Sequence, residues 1–515
     1  MMNLKATLNR DHQIYLFAIF TSILLSLLLG YRNSVINPDG ICYVLSAKLL
    51  DGGSVRDVMQ FCPQSKWPFY STLIYAVGQI SHLSYALSAH VLNGLLSLLS
   101  VITFIKIVET LGGNQRVLLL AALVILFDHQ FNLLRDNIIR DHGFWAFYLV
   151  SIYLLLKYVK QPNMLTALLW NASLVVATLF RIEGAIFLFV MPFASWFCFQ
   201  HSFFSRFKMF FILNLPLVLI CAAGILWQAT HPEQTMQQWG RVGEIIYQLR
   251  DGASILVNRY DSIRAALMQY ILPHESVADA GAVVLLTWVS WYIYNVVLTL
   301  SFCYAALVVY AFFSRALSFP ANHKPVIWGY VLINLLMTLG FLAETLFVSK
   351  RYLVGLTLVL MLWVPFAVND LINKWPSLLH RIFLICMTAI FFTSALSGVV
   401  EFGRSKFYIR TAGNWIAENV PASATLYVND FQLMYYTDHF GMRIFEILPN
   451  YLQPATVVDG KWKQYDYLAL RLRKNGNEKI SPLLNELAGI TPMKIFSDKH
   501  GNRVAVYKLH EIRKN

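Results

Sequence analysis

Two acidic stretches of this chain have the residue types and the placement for proton transfer. In "INPDGICYVLSAKLLDGG", Asp39 follows an apolar run near 13–31. A carboxylate there either bonds its own backbone in an Asn-Pro-Asp-Gly turn or serves as a general base. In "FDHQFNLLRDNIIRDHGFWAFYLV", Arg135-Asp136 and Arg140-Asp141 repeat, with His129 and His142 flanking them. Charges at the edge of a membrane span are costly unless paired or functional. They read as two local ion pairs or, for Asp141, as a group reaching into a cavity.

Other segments supply cations. "FRIEGAIF" puts Arg181 and Glu183 between two apolar runs, and "ETLFVSKRYL" puts Lys350, Arg351 and Tyr352 at a late span end. Guanidinium binds phosphate oxygens bidentately, so short-loop cations of this kind suit an anionic headgroup. The alternative is a charged hairpin tip in the first case and interfacial snorkelling in the second. Metal chemistry is weakly signalled: His231, His274 with Glu275, and His439 with Asp438 lie outside spans, and neither HExxH nor CxxC spacing occurs. Phosphate-cradling glycine loops and a G-x-S-x-G elbow are also absent from the sequence.

The elements that must position these groups follow from composition. With 57% hydrophobic and only 13% charged residues over 515 positions, the chain reads as a polytopic α-helical membrane protein. Apolar runs near 13–31, 84–106, 117–128, 143–158, 164–180, 184–200, 208–229, 284–313, 326–347, 353–370 and 381–400 predict about eleven spans. The first is read as a retained helix, not a signal peptide.

With the N-terminus inside, even connections carry Lys106 and Arg116, Lys157 and Lys160, Arg206 and Lys208, Arg315 and Lys324, and Lys374 and Arg381, as the positive-inside rule expects. The net charge of +13 is first explained this way, and nucleic acid is not an expected partner. Arg135, Arg140, Arg181, Lys350 and Arg351 run against the rule in short outer loops, which points to an anionic ligand such as a lipid phosphate.

Residues 1–402 are expected to form the membrane domain, with long outer loops at 32–83 and 231–283 that hold amphipathic segments lying on the membrane surface. From 403 to 515 the composition becomes soluble and reads as a small extramembrane α/β domain. It has a helix ending before Pro421, a strand at "TLYVN", a second helix, a strand at "YDYLALRLR" and a hairpin turned at "DKHGN". Of six cysteines, Cys42 and Cys62 share the first outer loop; a bridge and two free thiols both stay open.

In order along the chain, the Asp of "NPDGICYVLSAKLLDGG", the "RD" before span four, "RIEG", "KRYL" and a soluble tail beginning "WIAENVP" resemble the GT-C membrane glycosyltransferases. The likeness is to the group with the protein O-mannosyltransferases and the aminoarabinose transferases. The resemblance implies transfer of a sugar from a polyprenyl phosphate carrier to a lipid, glycan or protein acceptor outside the membrane, in a bacterial inner membrane with a periplasmic C-terminal domain. It implies Asp39 as general base, Asp141 as its aid in holding acceptor or base, and Arg181, Lys350 and Arg351 on the phosphate leaving group. Arg140, Glu183 and Tyr352 join them as substrate-binding candidates, and no cofactor is expected. Many relatives carry an acidic pair in the first loop, where this chain has Gly40 after Asp39. A flippase for a lipid-linked sugar, a glycan polymerase or ligase, and a non-catalytic scaffold are the competing readings.

Overall fold

The structure, a computed structural model, describes the chain except residues 1, 33–34, 231–240, 318, 375–376, 401–405, 452–459, 476, 478–480 and 510–515. His231 therefore lies outside the described residues. Two compact units emerge: residues 1–27, 91–135 and 140–399 form the first, and 28–90, 136–139 and 400–515 the second.

The first unit is a helix bundle. Among the described residues, eight helices of the chain are long and apolar enough to cross a membrane, and a ninth counts if the bent pair Gln115–Leu126 and His129–Arg135, kinked by 49°, is one span. Shorter apolar helices are Met164–Phe180, Gly184–Phe197 and Phe302–Ser314. The apolar run at 284–313, read from the sequence as one span, is two helices. Ser301 takes a positive φ of 67°, breaks the first after Leu300, and accepts at its hydroxyl from the Tyr304 amide at 3.4 Å to cap the second. A non-glycine residue at such a φ ends a helix. Hydropathy cannot register a break of one residue.

Inside the bundle the helices Asp141–Lys160, Met164–Phe180 and His323–Thr345 are tied by buried polar contacts. Asn334 donates to the Tyr148 hydroxyl at 2.6 Å, Trp170 donates to the Tyr330 hydroxyl at 3.3 Å, and Ser151 meets the same hydroxyl at 2.8 Å. Hydrogen bonds of this kind fix the rotation of apolar helices where packing alone is permissive. Gly143 brings the first two helices into close approach: a Cβ there would lie 2.3 Å from the Phe180 ring. That approach sets the position of the residue after Phe180, which is Arg181.

The second unit is built on a four-stranded sheet, β1 (Leu426–Val428), β2 (Tyr467–Leu472), β3 (Lys494–Ser497) and β4 (Arg503–Lys508), in the order β1-β2-β4-β3. β1 and β2 are parallel and the other pairs antiparallel, with Ala469 opposite Val506 and Phe496 opposite Val504. Its core is not made by the C-terminal segment alone. Val35, Ile41 and Leu45 from the N-terminal part of this unit are buried with Ile409, Ile416, Leu433, Ala469 and Val506.

Candidate functional site

Within the second unit, the helix Pro38–Leu49 carries Asp39 in its first turn, where a negative charge favours the helix dipole. Proline at the first helical position is pre-shaped for the start, so the segment read as a turn is a helix start. Asn37 holds the N-cap position without capping. Its amide instead clasps Ile138: Nδ2 donates to the Ile138 carbonyl at 3.2 Å, and Oδ1 accepts from the Ile138 amide at 2.8 Å.

Gly40 makes that approach possible. A Cβ on it would lie 2.8 Å from Asn37 Oδ1 and 2.9 Å from both Ile138 Cβ and Ile36 Cγ2. The physical reason for glycine beside Asp39 is thus packing, since no second side chain fits.

Three further contacts hold this loop. Gln64 Nε2 donates to Asp39 Oδ1 at 3.0 Å. Cys42 and Cys62 are bridged, with Cα atoms 6.2 Å apart. Gln432 donates to the Ile36 carbonyl at 2.8 Å while the Ile36 amide donates to the Tyr436 hydroxyl at 2.9 Å, so a helix of the C-terminal segment grips the residue three before Asp39.

Within the first unit, Asp141 opens the helix Asp141–Lys160 and Arg181 follows Phe180. Arg181 is buried and donates from Nη1 to Asp141 and from Nη2 to Glu183, with Nε 3.3 Å from Glu183 Oε2. Its guanidinium lies over the Tyr352 ring, 4.5 Å from the centroid, and Arg351 approaches the same ring at 5.2 Å. Arg140 is buried, adds its charge to that felt by Glu183, and has an Nη1 with no hydrogen-bond partner among the described residues. Burial disfavours the Glu183 anion, but the Arg181 charge and hydrogen bond outweigh it and hold the carboxyl at about 2. Lys350 begins the helix Lys350–Leu360.

Arg140, Asp141, Arg181, Glu183, Arg351 and Tyr352 are thereby brought together, with Lys350 next in chain, and Asp39 belongs to the other unit. Of the pairs suggested by the Arg-Asp repeat, the one at Asp141 is replaced by a distant partner. Asp141 takes Arg181, forty residues away in sequence, and Arg135 turns to Ser22, Ser26 and Asn132 at 3.0 to 3.1 Å. His142 lies with Nε2 3.0 Å from the Leu134 carbonyl. Sequence reasoning missed Asn37 and Gln64. The one signal for Gln64 was its place two residues after Cys62.

Chemically, the cluster offers three cations, Arg140, Arg181 and Arg351, against two carboxylates, with Arg181 bonded to both carboxylates and Arg140 and Arg351 beside it. That suits an anion with several oxygens. Among the described residues, no group of three or more His, Cys, Asp and Glu side chains is placed to hold a metal ion.

Neither a family model nor a curated protein matches the sequence. Solved structures do. The archaeal oligosaccharyltransferase AglB from Archaeoglobus fulgidus, in complex with an inhibitory peptide and a dolichol-phosphate, superposes with a TM-score of 0.52 at 11% identity, over 89% of this chain and 69% of that one. ArnT from Cupriavidus metallidurans bound to undecaprenyl phosphate gives 0.50 at 12% identity, over 95% of this chain and 97% of that one. At such identities the likeness is one of fold. This chain is an integral membrane protein with the fold of the GT-C membrane glycosyltransferases.

Proposed function

We propose that this protein is an inverting glycosyltransferase. It moves a sugar from a polyprenyl phosphate carrier, undecaprenyl or dolichyl, to an acceptor hydroxyl on a lipid, glycan or protein at the outer face of the membrane. Asp39 takes the hydroxyl proton, the acceptor oxygen attacks the anomeric carbon, the bond from that carbon to the phosphate oxygen breaks, and the phosphate leaves on its polyprenyl chain. Arg140, Arg181, Lys350 and Arg351 meet the charge that develops on the leaving phosphate. Asp141 and Glu183 orient Arg181, and Tyr352 stacks beneath it.

The observation that carries this reading is the convergence of Arg181 and Arg351 on one Tyr352 ring beside the buried Arg140. Charges at a span end are costly unless paired or functional; Asp141 and Glu183 pair with Arg181, and the further arginines suit an added anion. The carriers held by the two solved structures of this fold, a dolichol-phosphate and undecaprenyl phosphate, are of the same chemical class. Four cations supply the charge stabilisation, and the reading assigns no metal or organic cofactor.

By the positive-inside rule the N-terminus is cytoplasmic. Residues 1–402 then form the catalytic membrane domain, and 403–515 a periplasmic domain in a bacterial inner membrane. Arg351→Ala, assayed for binding of a polyprenyl phosphate sugar in detergent, is expected to weaken affinity about tenfold or more; unchanged affinity contradicts the phosphate assignment. In proteoliposomes, a flippase would move donor across the bilayer without forming product.

A further inference from the structure

Gln64 is half-buried, as is Asp39, and its Nε2 donates to Asp39 Oδ1 at 3.0 Å. The amide is brought there by a short, heavily braced piece of chain. Cys62 is bonded to Cys42, one turn beyond Asp39 on the same helix. Pro63 starts the 3-10 turn Pro63–Lys66, on which Gln64 sits. Ser65 ties that turn down: its hydroxyl donates to the Val58 carbonyl at 2.6 Å and accepts from the Cys62 amide at 3.1 Å.

Bridge, turn and serine leave Gln64 little freedom of position, and its amide nitrogen is directed to the carboxylate. A carboxylate's terminal torsion is broad and roughly two-fold. A fixed donor on Oδ1 therefore selects one orientation out of a wide set. For a group that must meet a hydroxyl proton within hydrogen-bond reach, that selection acts on rate.

We propose that Gln64 is a positioning residue for Asp39 and that the Cys42–Cys62 bridge is its mount, so that transfer depends on the oxidised state of this loop. This rests on the reading of Asp39 as the general base. Two consequences separate it from a purely structural role. Loss of the donor lowers kcat and leaves the donor sugar's KM in place, because the contact orients the base and touches no carrier. Loss of the bridge and loss of the donor are also the same injury, so together they cost no more than one of them.

The test uses the full-length protein in proteoliposomes with a radiolabelled polyprenyl phosphate sugar. Gln64→Met keeps the side-chain length and removes the donor; kcat is expected to fall about tenfold with KM unchanged. Gln64→Lys restores a donor at similar reach and is expected to recover most of the rate. Cys42→Ser with Cys62→Ser is expected to match Gln64→Met and to add nothing on top of it. The proposal is overturned if Gln64→Met turns over at the parent rate while Asp39→Asn is inactive, or if the bridge and Gln64 losses multiply. If Asp39→Asn itself keeps the parent rate, the base assignment falls and takes this proposal with it. Where the bridge variant does not fold, the Met and Lys variants at position 64 decide alone: equal rates for the two overturn the proposal.

Discussion

Arg181 donates to Asp141 across forty residues of sequence, and it is the close packing at Gly143 against Phe180 that makes this possible. The two residues lie at the ends of neighbouring helices, Arg181 next to Phe180 and Asp141 two residues before Gly143. Breaking a buried pair leaves an uncompensated charge. Asp141→Ala is expected to lower unfolding free energy by about 3 kcal/mol, read as a fall in Tm in detergent, and Asp141→Asn by less. A melt unchanged by Asp141→Ala would mean that Glu183 alone holds Arg181.

The Glu183 carboxyl gives a pH signature. Its folded value of about 2 lies below the ordinary 4.5, so its contribution to stability is present in full above about 4.5 and is lost as pH falls through about 2. The difference in Tm between the parent and Glu183→Gln is expected to be full at neutral pH, to shrink below pH 4.5 and to close near pH 2. A difference independent of pH would remove the ion pair with Arg181 from the account.

Gly40 permits a third test. With 2.8 to 2.9 Å of clearance to three atoms, Gly40→Ala must displace Asn37 or Ile138 and is expected to cost about 1–3 kcal/mol. Gly40→Glu, which would recreate an acidic pair, is expected to cost more and not to raise activity. A stable, more active Gly40→Glu would show that the loop rearranges freely.

Much of this arrangement could be read from residue order, and some of it could not. Apolar runs located the helices because length and hydropathy are local properties. Arg140, Arg181 and Arg351 stood out because short outer loops ordinarily lack cations. The partner of Asp141 was illegible: the spacing of the Arg-Asp repeat suggested neighbours in sequence, and helix packing chose Arg181. Asn37 was hidden for a similar reason, since an Asn before Pro reads as a cap or turn, and only the fold brings Ile138 to its amide. The burial of Val35, Ile41 and Leu45 with the C-terminal segment was equally invisible, because alternation and amphipathicity do not say which face meets which.

The bridge has a stability consequence apart from catalysis. It closes a separation of twenty residues, for which loop-closure entropy amounts to about 3 kcal/mol. Cys42→Ser with Cys62→Ser is expected to melt lower than the parent under oxidising conditions and to match the parent once a reductant is added. Equal melting under oxidising conditions would refute a stabilising bridge.

The most direct measurement of the central claim is single-turnover transfer from a radiolabelled polyprenyl phosphate sugar by Asp39→Asn, beside the parent, in proteoliposomes that bind the donor equally. The expected result is labelled product from the parent and a rate at least about a hundredfold lower from the variant, with donor affinity unchanged. Transfer by Asp39→Asn at the parent rate would contradict the assignment of the base, and no product from either protein would contradict glycosyl transfer itself.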